Sequence, residues 1–247
     1  MTDSLGWRKK LGILVPSTNT SVQPEFDSMR PPGVTNHISR IRIPNMPLKS
    51  DADFSRLIEV IVAAQDEAVD SLMSCEPDYL VMGISAETFW GGYEASRKLK
   101  AHLAGKTGLP VTMGSEAGEE ALKLLGAKTL GVVTPYWPVG DQNVVRFFGE
   151  AGFTVKRIEG LKCASPVDIA HVTEARLRDA LAKVDGDDVD ALIQVGTNLA
   201  MARLAGQAEL WMKRPVVAIN AAIYWHALRH AGIPDKVEGF GALLARH

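Results

Sequence analysis

A chain of 247 residues that is 46% hydrophobic and 23% charged has the make-up of a globular protein able to bury a core. Its formal net charge of −2, without a block of Lys or Arg, argues against nucleic acid binding. No apolar run reaches the roughly 18 residues that a membrane span requires, nor does the N-terminus read as a signal peptide, so the expectation is a cytoplasmic protein with no membrane partner.

Short β-rich runs alternate with longer helical patterns, the signature of parallel sheets with crossover helices. The first strand, Leu11–Val15, leads into Pro16-Ser17-Thr18-Asn19-Thr20 and a helical pattern from near Gln23. Small hydroxyl and amide side chains beside free helix N–H groups suit a carboxylate or phosphate, although Ser17, Thr18 or Asn19 could equally serve as a plain helix cap. No GxGxxG or GxxxxGK[ST] loop follows, so an anion smaller than a nucleotide is expected.

Next come a strand at His37–Ile43, a helix at Ala52–Ser74 and a strand at Tyr79–Met82 that runs into Gly83-Ile84-Ser85-Ala86-Glu87-Thr88. Ser85 and Thr88 offer hydroxyls, and Glu87 is the only carboxylate at this strand end. Shielding by Phe89 and Trp90 would raise its pKa and make it a general acid or base, whereas the plainer role is a first-turn helix acid. A helix over Thr88–Ala104, a strand at Pro110–Thr112 and a helix over Glu116–Leu125 complete the first half.

The second half opens with a strand at Leu130–Thr134, whose end carries Tyr136, a phenol able to donate a hydrogen bond into a cleft or simply to pack on the loop prolines. A helix over Val139–Ala151, a strand at Thr154–Ile158 and a helix over Glu174–Val184 precede the strand Ala191–Val195. Gly196-Thr197-Asn198-Leu199 follows, again a small residue, a hydroxyl and an amide, and then a helix over Leu199–Trp211. The last strand, Val216–Ile219, ends at Asn220 before a helix over Ala221–Ala231. His226 and His230 stand four apart on that helix, a spacing that can hold a metal, but no third ligand is visible and no metal is expected. Cys75 and Cys163 lack CxxC spacing and follow no strand at the cleft, so neither is read as a nucleophile.

The halves repeat. Leu11–Pro16 returns as Leu130–Pro135, Asp78–Gly83 as Asp190–Gly196, Pro110-Val111 as Pro215-Val216, and Ala121–Gly126 as Ala227–Gly232. The fold class is therefore α/β, with two pseudo-symmetric lobes, each a four-stranded mostly parallel sheet flanked by helices. Chemistry is expected where the loops after equivalent strands face each other.

Val15-Pro16-Ser17-Thr18-Asn19-Thr20, Thr134-Pro135-Tyr136, Ala151-Gly152-Phe153, Gly196-Thr197-Asn198-Leu199 and the stretch from Pro215 through Asn220 to Arg229, with Gly239-Phe240-Gly241, together resemble the aspartate/glutamate racemase superfamily. The resemblance is to the branch of maleate cis-trans isomerases and arylmalonate decarboxylases and covers nearly the whole chain. It implies a cofactor-independent enzyme on a small carboxylic acid, commonly a homodimer, with a C-terminal segment that returns to the first lobe. Lobes at 1–113 plus 220–247 and at 114–219 follow. It also implies a carboxylate-binding shell of Asn19, Tyr136, Thr197, Asn198 and Asn220, beside which the turns at Gly83 and Gly196, with Thr88, are read as substrate-binding. Two cysteines serve catalysis in that family, and here their positions read Gly83 and Gly196, so thiol chemistry does not carry over. Glu87, Ser85 and Thr197 are then the catalytic candidates. Isomerisation, decarboxylation, hydration and hydrolysis all stay open, with the two glycines leaving room for a larger substrate group or a water. The alternative is an inactive relative that binds a small acid as a sensor or accessory protein.

Overall fold

The computed structural model describes residues 3–247. Its core is a pair of four-stranded, wholly parallel sheets with matching strand order. In chain order the first is built from β1 (Lys9–Pro16), β2 (Val34–Ile41), β3 (Tyr79–Met82) and β4 (Val111–Thr112), arranged β2-β1-β3-β4. The second comprises β5 (Thr129–Thr134), β6 (Thr154–Gly160), β7 (Ala191–Gln194) and β8 (Val216–Ala218), arranged β6-β5-β7-β8. Helices cover both faces, so the central strands read as continuous apolar runs: Leu11, Ile13, Leu14 and Val15 are all buried, as are Tyr79, Leu80, Val81 and Met82.

The helices are α1 (Val22–Met29), α2 (Asp51–Met73), α3 (Ala86–Phe89), α4 (Gly92–Thr107), α5 (Gly114–Leu124), α6 (Pro138–Glu150), α7 (Glu174–Val184), α8 (Ala202–Met212), α9 (Ile219–His230) and α10 (Ala242–Arg246). The longest, α2, is stopped at its start by Ser50, whose hydroxyl accepts from Asp53 N at 3.2 Å while Asp53 Oδ2 receives Ser50 Oγ at 2.8 Å. Phe54, Leu57, Ile58, Ile61, Ala68, Val69 and Leu72 recur at helical spacing along its buried stripe. Among the described residues no helix is long and apolar enough to cross a membrane.

Two departures from the sequence reading have physical causes. The single helix expected over Thr88–Ala104 is broken between α3 and α4, because Gly91 and Gly92 both adopt left-handed backbone (φ +79° and +80°). Asn143 on α6 secures the break by accepting Gly91 N at 2.8 Å. The C-terminal helix α10, at five residues, is too short to show periodicity and was not expected.

The helices after β4 and β8 trade places. From β8, α9 crosses to the first sheet, where His226 Nδ1 lies 2.7 Å from Thr112 Oγ1 of β4. From β4, α5 crosses to the second, where a methyl group added at Gly118 would touch Ile193 of β7 at 3.2 Å. The two helices pack against each other on the way.

Candidate active site

The strand register corrects one pairing drawn from the sequence. Leu14 of β1 stands beside Met82, and Val133 of β5, its counterpart in the repeat, stands beside Gln194. Correspondingly Gly83 N donates to Leu14 O and Val195 N to Val133 O. The partner of Gly83 in the repeat is thus Val195, and Gly196 and Thr197 match Ile84 and Ser85. A glycine after each strand makes the repeat, read from sequence, fall one residue out of register.

Neither glycine has room for a side chain, although Gly196 lines the cavity described below and Gly83 does not. A Cβ at Gly83 would lie 2.5 Å from Val15 Cγ1 and 3.0 Å from the Leu14 carbonyl oxygen. Gly196 has φ +111° and its Cβ would collide with the ring of Pro135. At Gly83 the expectation of room for a larger substrate group or a water fails on packing, whereas Gly196 does border the cavity.

The space begins at Ile84 on the first loop and at Gly196 on the second. A cavity of about 60 Å³ is lined by the loops after β1, β3, β5 and β7 and by α2. Its apolar share includes Phe54, Leu57 and Ile61 of α2 with Ile43 and Ile84, and its polar share is Thr18, Asn19, Ser85, Tyr136, Thr197 and Asn198. A single water needs about 10–15 Å³ of such space, so a compact acid group fits.

The polar groups form one hydrogen-bonded chain across the lobes. Asn19 Nδ2 donates to Thr197 Oγ1 at 3.2 Å, and Thr197 Oγ1 donates to Gly83 O at 3.1 Å. Thr197 N donates to Ser85 Oγ at 3.2 Å, and Ser85 Oγ lies 2.9 Å from the Tyr136 hydroxyl. Each member is fixed from behind. Asn19 Oδ1 accepts Ser21 N and Val22 N, closing the turn that leads into α1. Tyr136 N donates to Thr134 Oγ1, which in turn donates to Asp141 Oδ1 at 2.5 Å, and the Tyr136 ring packs on Phe54 with centroids 5.2 Å apart. Burial holds the Tyr136 phenol well above the usual tyrosine range, so it stays protonated. Burial likewise pushes Asp141 up to about 6.

The remaining candidates stand behind this chain or to one side. Thr88 Oγ1 donates to Ser85 O and accepts Ser115 N. Asn220 Nδ2 donates to Thr197 O at 2.9 Å and to Glu25 Oε2 at 2.6 Å. Asn198 lines the cavity but spends its amide on the fold: Oδ1 accepts Thr20 N, and Nδ2 donates to Pro166 O. Glu87 is 5% exposed, neither oxygen has a hydrogen-bond partner, and it does not line the cavity although Ser85 and Ala86 do. Burial alone raises its pKa to about 7. Both cysteines are also off the cavity; Cys163 donates its backbone N–H to Pro135 O, and burial pushes its thiol up to about 11.

Sequence reasoning passed over two contributors. Glu25 accepts Ala202 N at 2.8 Å while holding Asn220, and α2 supplies much of the apolar wall. Glu25 reads as an ordinary acid in the first turn of α1, and the α2 stripe as ordinary core. Neither carried a sequence signal of its own.

Paired parallel sheets with a cavity at facing strand ends define a two-lobed α/β protein. Within that class the chain belongs to the arylmalonate decarboxylase family, whose model matches residues 11–244. It is 28% identical over 256 residues to the maleate isomerase of Pseudomonas putida, covering 96% of this chain and 97% of that one. To the arylmalonate decarboxylase of Bordetella bronchiseptica it is 28% identical over 169 residues, 66% of this chain and 69% of the other. Among solved structures, a cysteine-to-serine mutant of the Nocardia farcinica maleate cis-trans isomerase, with a covalently bound succinylcysteine intermediate, superposes with a TM-score of 0.88. That match covers 97% of this chain and 99% of the other at 22% identity, a likeness of fold.

Proposed function

We propose that this chain is a cofactor-independent enzyme that decarboxylates a small dicarboxylic acid bearing an apolar substituent, without a thiol in the chemistry. One observation carries the reading: a single cavity combines the apolar side chains of Phe54, Leu57, Ile61 and Ile84 with the hydroxyls of Ser85, Tyr136 and Thr197. A carboxylate held against the apolar part loses its hydration, and leaving as CO2 relieves that cost. The electron pair of the broken C–C bond passes into the retained carboxylate as an enediolate. The Ser85–Tyr136 pair, which has one proton left beyond its own hydrogen bond, and Asn19 are the side-chain donors for that charge, each worth a few kcal/mol in a dry site. The protonated Tyr136 phenol passes a proton through Ser85 to the α-carbon and regains one from solvent, leaving a monocarboxylic acid. Ser85 and Thr197 meet the substrate in this reading, and Glu87 does not.

Relatives named for arylmalonate and for maleate support a small acid as the substrate class. The test is a panel of aryl- and alkyl-substituted malonates, followed by CO2 release, alongside maleate, followed by fumarate formation. CO2 release from a substituted malonate, unchanged in the Cys75→Ala/Cys163→Ala double variant, is expected. Maleate isomerisation alone, or tight binding of an acid with no turnover, would replace this reading with an isomerase or a binding protein.

A further inference from the structure

The two histidines of α9 acquire in the fold a third neighbour that their sequence spacing could not supply. Glu120 of α5 places Oε2 3.1 Å from His230 Nε2 and 3.5 Å from His226 Nε2. All three ligand atoms lie within 4.8 Å of one another. Around a tetrahedral Zn²⁺ with bonds of 2.0–2.1 Å, ligand atoms stand about 3.3 Å apart, and the two glutamate separations bracket that value.

His226 gives the independent sign of a missing partner. It is 0% exposed, and its buried Nε2 has no hydrogen-bond partner. The ring's other nitrogen is engaged: Nδ1 sits 2.7 Å from Thr112 Oγ1, whose own proton is directed to the Tyr79 hydroxyl at 3.2 Å. Thr112 can then only accept, so Nδ1 carries the hydrogen and Nε2 presents a lone pair toward the Glu120 carboxylate. A lone pair on a buried ring nitrogen faces those of a half-exposed carboxylate, an arrangement that a bound cation relieves. A metal-bound histidine whose far nitrogen is fixed by a hydroxyl is the expected supporting arrangement. The His226 and His230 rings stack with centroids 3.9 Å apart, so their Nε2 lone pairs lie in near-parallel planes, and convergence on one ion requires the His230 ring to tilt. Its side chain is 45% exposed and has the freedom to do so.

We infer that Glu120, His226 and His230 form a divalent-cation site, best matched to Zn²⁺, with water as fourth ligand. Imidazole and carboxylate donors in this number suit zinc over magnesium or calcium. Six to ten residues of helix separate these histidines from Asn220, roughly 9–15 Å along the axis, so the site is remote from the cavity. Its effect is mechanical, tying α5 to α9 across the point where the two helices trade lobes.

The test uses the full chain, stripped with a chelator and titrated with Zn²⁺ by calorimetry and with Co²⁺ by visible absorption. One Zn²⁺ per chain is expected, with tetrahedral Co²⁺ bands, and Glu120→Gln and His230→Ala should each weaken binding at least tenfold. Because both residues are partly exposed, these variants keep the fold, whereas His226→Ala removes a fully buried ring. At a Zn²⁺ concentration 100 times Kd, the unfolding equilibrium constant of the wild type should fall about 100-fold, with Tm rising, and far less in the variants. Absence of stoichiometric Zn²⁺ binding, or binding that survives in either variant, would overturn the site.

Discussion

Ser85 Oγ and the Tyr136 hydroxyl lie 2.9 Å apart, although 51 positions separate the two residues in the chain. They come from different lobes, and Thr197 N adds a third contact to the same serine oxygen at 3.2 Å. This joint is where the lobes and the proposed chemistry meet.

Removing the phenol should therefore damage catalysis more than folding. Tyr136→Phe keeps the ring on Phe54 but leaves Ser85 without its partner and the substrate without a donor. A loss of about 1.5–3 kcal/mol, or 10- to 150-fold in kcat/KM, is expected in steady-state kinetics. Unaltered kinetics would remove Tyr136 from the site.

The cysteines should be dispensable. Cys75→Ala with Cys163→Ala, and a thiol reagent on the wild type, should leave turnover nearly untouched, since neither residue lines the cavity. Inactivation that disappears in the double variant would place a thiol in the reaction.

Restoring a side chain at the strand ends should destabilise the protein. Gly83→Cys drives its Cβ into Val15 and the β1 backbone, and Gly196→Cys also forces a positive φ on a residue with a Cβ. Each should cost about 1–3 kcal/mol in urea unfolding. A variant as stable as wild type would mean that the loops yield easily.

Glu87 should make stability fall with rising pH. Its folded pKa of about 7 lies above the reference value of 4.5, so between these the folded state binds more protons than the unfolded one. The stability it confers is full below about 4.5 and is lost as pH rises through about 7. The loss is on the order of 3 kcal/mol. Glu87→Gln should flatten the curve and be the more stable form at pH 8, as denaturation across that range will show.

Much of the fold was legible because period and punctuation agreed. Tyr79–Met82 and Glu174–Val184 were read to the residue, and the wider repeat gave two four-stranded sheets. The break at Gly91-Gly92 escaped because the amphipathic pattern continues through it, and only the φ values and Asn143 disclose the turn. At the site, Ser85, Tyr136, Thr197 and Asn19 were visible as polar residues at strand ends, and the fold brings them together. The apolar wall from α2 and the approach of Glu120 to two histidines were not visible, because both are contacts between elements distant in sequence.

The crossing of α5 and α9 has a consequence for how such a protein could be cut or reassembled. Each sheet is roofed by a helix that the other half of the chain supplies, so a split between Met113 and Gly114 would leave the first fragment without the cover over Thr112. The first fragment would expose apolar strand surface, and the second the face of α9 that covered it, until the two met. Two such fragments expressed apart should be insoluble and should fold only when mixed, as a single interlocked body.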